Sequence, residues 1–489
     1  MGFLSMRSSA TQALRAKVRG AQSRLPNTKA FGAIILTSTS LLSACTLAPK
    51  YVRPEAPVAT QWPVAETSAD AAATGAIKWR SLFTDPRLQK TIDLALANNR
   101  DLRVATLNIT RARAQYGIAR ADLFPTLDGS VSGTRSHARS ASTGTGATND
   151  SYSANLGLGW ELDLFGRVRS LSKAALEDFF ATQENRNAVT ISLIGDTAKA
   201  WLDLAADQDA VKLAQQTLSL RKDALDIAQG QARIGTLSDL DLSTITTEYQ
   251  TARQSLSQAQ TALDQDKAAL TLLTGAPLSD DLLPDGLQSG VVADSLPVGL
   301  PSQVLLNRPD ILSAEHDLKA ANADIGAARA ALFPTISLTG SAGGASSSLG
   351  DLFKSGNNTW SYGTAIKLPI FAGGANINGV RSAKASRDIQ VATYEGAIQS
   401  AFRDVSDALA VRARIDERLD AQQQATKAAE TAFKLSQASY KAGSLSYLTL
   451  LDAQRTLLTA QQSLITLTEL KATNLADLYQ AIGDDGSLN

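Results

Sequence analysis

The sequence predicts a mainly α-helical chain with a small β part, built as two copies of one half-molecule. Three observations carry this. The first is a repeat: Ala112–Thr126 reads ARAQYGIARADLFPT and Ala321–Thr335 reads ANADIGAARAALFPT, an offset of 209. Leu164-Phe165-Gly166 answers Ile370-Phe371-Ala372-Gly373 at 206, and Gly235-Thr236-Leu237-Ser238 answers Gly443-Ser444-Leu445-Ser446 at 208. A period near 208 residues is far too long for a solenoid unit, so it marks a duplication. The second is proline, absent between Pro125 and Pro277 and after Pro369, which leaves room for long helices. The third is composition: only 5% of residues are aromatic, while Ala, Ser, Thr, Gln and Leu fill long tracts, which suits narrow helical seams better than compact globules.

Taken in order, residues 1–44 read as an export signal. They hold six bases (Arg7, Arg15, Lys17, Arg19, Arg24, Lys29) and no acid, followed by an apolar stretch from Phe31 to Leu42. Met6 is an alternative start to Met1. Leu42-Ser43-Ala44-Cys45 resembles the bacterial lipobox, in which the cysteine is lipidated and becomes the first residue after cleavage. The competing reading is an uncleaved anchor, but Thr37-Ser38-Thr39-Ser40 interrupts an apolar core already short for a span of about 20 residues. Cys45 is the only cysteine, which excludes an intrachain disulfide and a cysteine-rich zinc site. Thr46 in place of Asp favours the outer membrane by resemblance to lipoprotein sorting.

The rest divides into an extended segment 45–95, a first repeat 96–276, a linker 277–306, a second repeat 307–482 and a tail 483–489. In each repeat the period changes from helical to two and back. Along Ser153–Leu164, Ala154, Leu156, Leu158, Trp160, Leu162 and Leu164 alternate with polar or glycine residues. Ile336, Leu338, Gly340 and Ala342 do the same along Thr335–Gly343, and Thr126–Thr134 and Ser361–Leu368 are weaker versions. Each half therefore holds a hairpin (126–165; 335–371) with loops expected at 137–150 and 346–358. Strands of about ten residues with one apolar face match transmembrane barrel strands; a soluble sheet with one buried face is the alternative. Four strands cannot close a barrel, and open edges are not tolerated in hydrocarbon, so a membrane reading requires several copies to share one barrel.

From Arg167 to about Arg233 an unbroken helix would run on the order of 100 Å. Leu204, Val211, Leu218 and Leu225 form one heptad stripe on it, and Leu213, Leu220, Ile227 and Ile234 a second on the opposite side. Both sides are expected to find partners, as in the wall of a helical barrel or the inside of a bundle. Tyr249, Leu256, Leu263 and Leu270 make a seam on the next helix.

The chain holds 47 Lys+Arg and 47 Asp+Glu; beyond residue 44 that leaves 41 bases against 47 acids. No basic stripe remains for nucleic acid. With His137 and His316 as the only imidazoles, and no phosphate loop or nucleophile elbow, no enzyme, cofactor or metal site is indicated. Arg120 and Arg329, at equal places in the two repeats, read as arginines pairing with acids where helix meets strand.

Several stretches together resemble the TolC-like outer-membrane channel family, in its lipoprotein branch serving tripartite efflux pumps. They are Tyr51-Val52-Arg53-Pro54 after the lipobox, Trp79–Pro86, Leu162-Asp163-Leu164-Phe165-Gly166-Arg167, Asn307-Arg308-Pro309-Asp310-Ile311, Leu368-Pro369-Ile370-Phe371 and Tyr440–Arg455. The resemblance implies a homotrimer with a 12-stranded outer-membrane β-barrel, four strands per chain, continuing into a periplasmic α-helical barrel with a mixed equatorial region. It implies a passive, non-enzymatic exit duct for drugs or small toxic compounds, joined by a periplasmic adaptor to an inner-membrane transporter of the RND type. It also implies a gate at the periplasmic tip: Leu448 as an apolar constriction, Asp452 as a carboxylate ring and Tyr440 before the turn glycine Gly443. Asp239 and Asp241 beside Gly235 are the first-repeat counterparts, and Thr449 stands where many members carry a second Asp. Asp452 as a solvated helix-surface carboxylate, with or without Arg455 or Lys441 as its partner, is the plainer reading. A type I secretion channel and a periplasmic coiled-coil scaffold remain the competing functions; the lipidated cysteine disfavours the first and the alternating strands the second.

Overall fold

The computed structural model describes residues 46–63, 78–139, 144–288, 290–293 and 302–483. The signal segment, Cys45 and residues 484–489 lie outside them. The first repeat comprises α1 (Trp79–Leu82), α2 (Pro86–Asn98), α3 (Arg100–Ala121), β1 (Thr126–Arg139), β2 (Gly146–Leu162), α4 (Arg167–Arg233) and α5 (Asp239–Thr274). After two short 3₁₀ turns come α6 (Pro309–Ala330), β3 (Thr335–Ser346), β4 (Asn358–Lys367), α7 (Ala375–Lys441) and α8 (Tyr447–Ile482). The duplication is written in the lengths. α3 and α6 have 22 residues each, α4 and α7 have 67, and α5 and α8 have 36. At about 1.5 Å per residue α4 and α7 each run on the order of 100 Å. Gly166 (φ 73°) and Gly374 (φ 83°) sit in the left-handed region where the chain turns from strand to long helix.

The helices form a row. α4 packs against α3 and α6 on its half nearer the sheet, and against α5 and α8 on its other half; α7 packs against α6 and α8. The row therefore ends at α3 and α5 on one side and at α7 on the other. Of the stripe Leu204, Val211, Leu218 and Leu225, Leu218 is half-buried and the other three are buried. The second stripe departs from expectation: Leu220, Ile227 and Ile234 are exposed within the chain. A row one helix thick gives α4 neighbours on two flanks only, and this stripe lies on neither.

The sheet has the order β1-β2-β3-β4, every pair antiparallel. Its register sorts the side chains by face, since directly opposite residues point the same way. Leu127 faces Leu158, Leu158 faces Gly340, Trp160 faces Leu338 and Ile336 faces Ile366, all on one apolar side. Ser132–Ser153 and Ser341–Ser361 pair on the other, each with hydroxyl oxygens 2.8 Å apart. The first hairpin corrects the expected loop at 137–150, because β1 runs to Arg139 and β2 begins at Gly146. His137 is thus a strand residue, 2.9 Å from the Thr148 hydroxyl, and not part of a loop. The ladder continues there without apolar alternation because hairpin ends in water have no apolar face to satisfy.

The main core lies where α1, α2 and the 3₁₀ turns pack on the middle of the long helices. Trp201, Tyr394, Phe83, Ile92 and Ile311 are fully buried there, and Trp201 donates its indole N–H to the Leu282 carbonyl at 2.9 Å. The segment after Cys45 lies along α6: Asn322 bonds the Pro49 carbonyl at 2.8 Å and Arg329 the Leu47 carbonyl at 2.9 Å. Arg329 is therefore a clasp for backbone, not a partner of an acid. Buried Glu315 accepts from Tyr51 (3.0 Å) and Arg53 (2.6 Å). No helix of the described residues is long and apolar enough to cross a membrane.

Candidate functional site

The two ends of the long helices are the place to look for a gate. α4 meets α5, and α7 meets α8, through the same turn. Gly235 (φ 77°) and Gly443 (φ 76°) take the left-handed conformation the turn needs, which is why both halves carry glycine there. Ser238 then caps α5, accepting from Asp241 N at 3.1 Å, and Ser446 caps α8, accepting from Thr449 N at 3.3 Å. Thr449 is held by this cap, its hydroxyl 3.0 Å from that of Ser446.

Leu448 (63% exposed) and Asp452 lie one helical turn apart on the first turns of α8, both exposed in the chain. Tyr440 is half-buried and packs edge-to-face on Tyr447, ring centroids 5.9 Å apart. Asp239 is exposed; Asp241 accepts a hydrogen bond from the Ser238 hydroxyl at 2.7 Å. Asp452 stands as an exposed carboxylate on the helix surface, and of the two bases considered for it Arg455 pairs instead with Glu248 on α5. Glu248 also faces the buried Arg221 of α4 at 3.4 Å, and Arg221 donates to Gln454 of α8 at 2.5 Å. One carboxylate thus ties α4, α5 and α8 together just behind the tip. Sequence reasoning missed this joint; two arginines and a glutamate on different helices carry no local pattern that assembles them. Asp452 has no ion pair within the described residues.

A model described as outer membrane efflux protein matches residues 91–276 and 300–484, one match for each repeat. The chain belongs to the outer membrane efflux protein family. It is 45% identical over 397 residues to the probable efflux pump outer membrane protein TtgC of Pseudomonas putida, covering 79% of this chain and 82% of that one. It is 41% identical to outer membrane protein OprJ of Pseudomonas aeruginosa, covering 78% and 80%. Among solved structures, the open state of the Neisseria gonorrhoeae MtrE outer membrane channel superposes with a TM-score of 0.78 at 40% identity, covering 90% of this chain and 98% of that one. A CusC crystal structure gives 0.80 at 36%, covering 90% and 100%.

As a member of this family the chain is an outer-membrane efflux channel of a Gram-negative bacterium, with a large periplasmic helical part. Its wall carries a feature invisible to sequence reading. Asp203 and Asp207 of α4, Asp266 of α5 and Glu469 of α8 converge where the two repeats pack. Burial, then the repulsion of Asp266, pushes Asp203 and Asp207 up to about 6; burial, then Asp203, pushes Glu469 up to about 7. Lys199 opposes this at Asp203, and Asp477 adds to it. Between the ordinary carboxyl range near ~4 and those raised values the folded chain binds more protons than the unfolded one. These groups therefore contribute stability at low pH that is lost as pH rises toward neutrality. Glu469→Gln is expected to flatten the fall of Tm between pH 5 and pH 8 and to raise Tm at pH 8. Parallel curves for parent and variant would count against it.

Proposed function

We propose that the chain is the trimeric exit duct of a tripartite pump, passively conducting drugs or other small toxic compounds outward. A periplasmic adaptor and an RND-type inner-membrane transporter would supply the coupling and the energy. The observation that carries this reading is the open sheet. Among the described residues β1 and β4 leave their outer edges unpaired, and in hydrocarbon such edges must be closed by other copies. The helix row ends on the same two flanks, since α3 leads into β1 and α7 follows β4. Three copies would join twelve strands and continue them as a helical wall. Particle mass in detergent together with heat-modifiable migration tests the assembly: a trimer is expected, and a monomer in both would refute it.

The gate belongs to this proposal. Symmetry would bring three copies of Leu448 and of Asp452 together at the pore end. The leucines gain from mutual burial, about 25 cal/mol per Å², while the carboxylates repel until a cation neutralises them. Leu448→Ala is expected to raise the leak conductance of the isolated trimer in planar bilayers. Asp452→Ala is expected to abolish inhibition by multivalent cations added from the periplasmic side. If both variants behave like the parent, the constriction lies elsewhere, with Tyr440, Asp239 and Asp241 the next places to substitute.

Cys45 is the proposed lipid anchor. What supports this is the lone cysteine at the end of the signal-like segment; the segment 47–53 that follows is held along α6. Cys45→Ser is expected to abolish palmitate labelling and leave unprocessed precursor; normal labelling would refute the anchor.

A further inference from the structure

We infer that the lipid side of the first hairpin, beyond its apolar band, binds a phosphorylated lipid of the outer leaflet, with Arg135 and Arg139 as phosphate ligands and His137 between them. This rests on the barrel reading above and adds to it a ligand and the residues that hold it.

The register decides which way these side chains point. Leu127 and Val131 stand on the apolar face of β1, opposite Leu158 and Ala154. Counting on in twos puts Gly133, Arg135, His137 and Arg139 on that same face. Asp150, opposite Arg135, and Thr148, opposite His137, point there too. Within 130–139 and 146–159 every charged side chain is therefore on the lipid side, and the lumen side holds only Ser, Thr, Asn, Ala and Gly. Water fills the lumen and would receive charges there freely. Their collection on the other side calls for a charged partner on that side.

Up this face the chemistry runs in the order of a lipid. Val131, Leu156 and Leu158 are exposed and apolar. Next comes Tyr152, opposite Gly133, its ring 3.1 Å from where a β carbon of that glycine would stand; tyrosine is a residue of membrane interfaces. Then come Arg135, His137 and Arg139, all exposed. Arg135 is eight residues past Leu127, about 27 Å along the strand and, at the tilt of such barrels, ~20 Å along the membrane normal. Arg139 reaches ~31 Å by the same rule, against an apolar band about 25 Å tall. The three bases thus straddle the rim of the band, at the level of headgroups. That rim is the outer one, because α3 and α4 join the strands at the opposite, periplasmic end.

The arginines are oriented but not saturated. Arg135 meets Asp150 through Nε at 3.4 Å, and Arg139 donates from Nε to the Gly144 carbonyl at 3.0 Å. Both contacts leave terminal amino groups for a second acceptor, and a guanidinium offers these in pairs to phosphate oxygens. His137 lies over Gly146, where a β carbon would come within 2.6 Å of its ring, and its Nδ1 is 2.9 Å from the Thr148 hydroxyl. The tautomer in which Nδ1 accepts from Thr148 leaves an Nε2–H donor between the two guanidinium groups. A single carboxylate, Asp150, opposes two permanent positive charges on this face, so the patch is net positive. An anionic headgroup above acyl chains matches it, and a neutral one does not.

Native mass spectrometry of the purified full-length protein in detergent tests this, with bisphosphorylated lipid A as the probe. The parent trimer is expected to retain lipid A about tenfold more tightly than the same lipid stripped of its phosphates. Arg135→Gln combined with Arg139→Gln is expected to lower the apparent affinity about tenfold, whereas Arg135→Lys with Arg139→Lys should keep most of it. Lys367→Gln, which removes a base from the lumen side, is expected to change nothing. Inorganic phosphate should fail to displace the lipid, since a free anion gains nothing from the apolar face; displacement would mean a free-anion site and overturn the lipid reading. Equal binding by the parent and the glutamine variant, in particles still trimeric and heat-modifiable, would overturn the site and leave the barrel standing. A parent that is not trimeric would overturn both. Should the glutamine variant fail to assemble, the two lipids on the parent decide: equal retention overturns the site.

Discussion

Leu158→Arg is expected to abolish the heat-modifiable, membrane-inserted form of this channel. Leu158 projects from the middle of the apolar face, with Leu127 opposite it on one side and Gly340 on the other, and is 43% exposed in the single chain. Among the described residues no side chain covers that face, which in the proposed barrel would meet lipid. An arginine near mid-membrane on a barrel costs roughly 2–4 kcal/mol per chain, and a ring of three copies meets that cost three times. Ser337→Arg is the matched comparison. It lies on the opposite face, across from Glu161, where water and a carboxylate can receive the guanidinium. Heat-modifiable migration and protease protection of outer membranes read the difference. Equal tolerance at the two positions would mean that the faces are reversed or that the sheet is not in a bilayer.

The second large effect is expected at the three-helix joint. Glu248→Ala removes the carboxylate shared by Arg221 and Arg455, leaving the Arg221 guanidinium, 4% exposed at its side chain, with Gln454 as the neutral partner. Stranding a buried charge in this way costs about 3–5 kcal/mol. The loss would be local, since this joint lies beside the small apolar cluster of Leu225, Ala228 and Ile245 behind the turns and apart from the Trp201 core. Amide exchange should therefore accelerate in 221–250 and 447–458 while the sheet and the Trp201 core stay protected, and leak conductance should rise. Glu248→Gln, which keeps an acceptor, should lie between variant and parent. Unchanged exchange at the tip in Glu248→Ala would show that the joint contributes nothing to holding the wall.

Much of this molecule could be read before folding. The two-residue alternation put Leu156, Leu158, Trp160 and Ile336 on one face, and the register agrees, because face is a property of position along a single strand. The repeated Gly-x-x-Ser turns were legible because a left-handed glycine and a capping serine act within a few residues. Helix length followed from the absence of proline, and duplication from the repeated landmarks. The errors lie where no local rule operates. The loop expected at 137–150 was too long because a solvated ladder needs no alternation. The second stripe on α4 was expected to be covered because a heptad reports that a helix has a preferred side, not whether this chain supplies a neighbour there.

Tertiary structure alone decided which charges meet. Arg221, Glu248 and Arg455 come together across more than two hundred residues, and Asp203, Asp207, Asp266 and Glu469 gather from three helices. Arg329 turned from a supposed partner of acids into a clasp for the Leu47 carbonyl because the amino-terminal segment, with no periodicity of its own, happens to lie there. The sequence by itself determined every feature whose cause is periodic or lies within a turn: the repeat, the helices, the strand faces and the capped tips. The fold decided the rest, because a contact between distant side chains depends on which helix is packed beside which, and that is settled only when the whole row of helices is assembled.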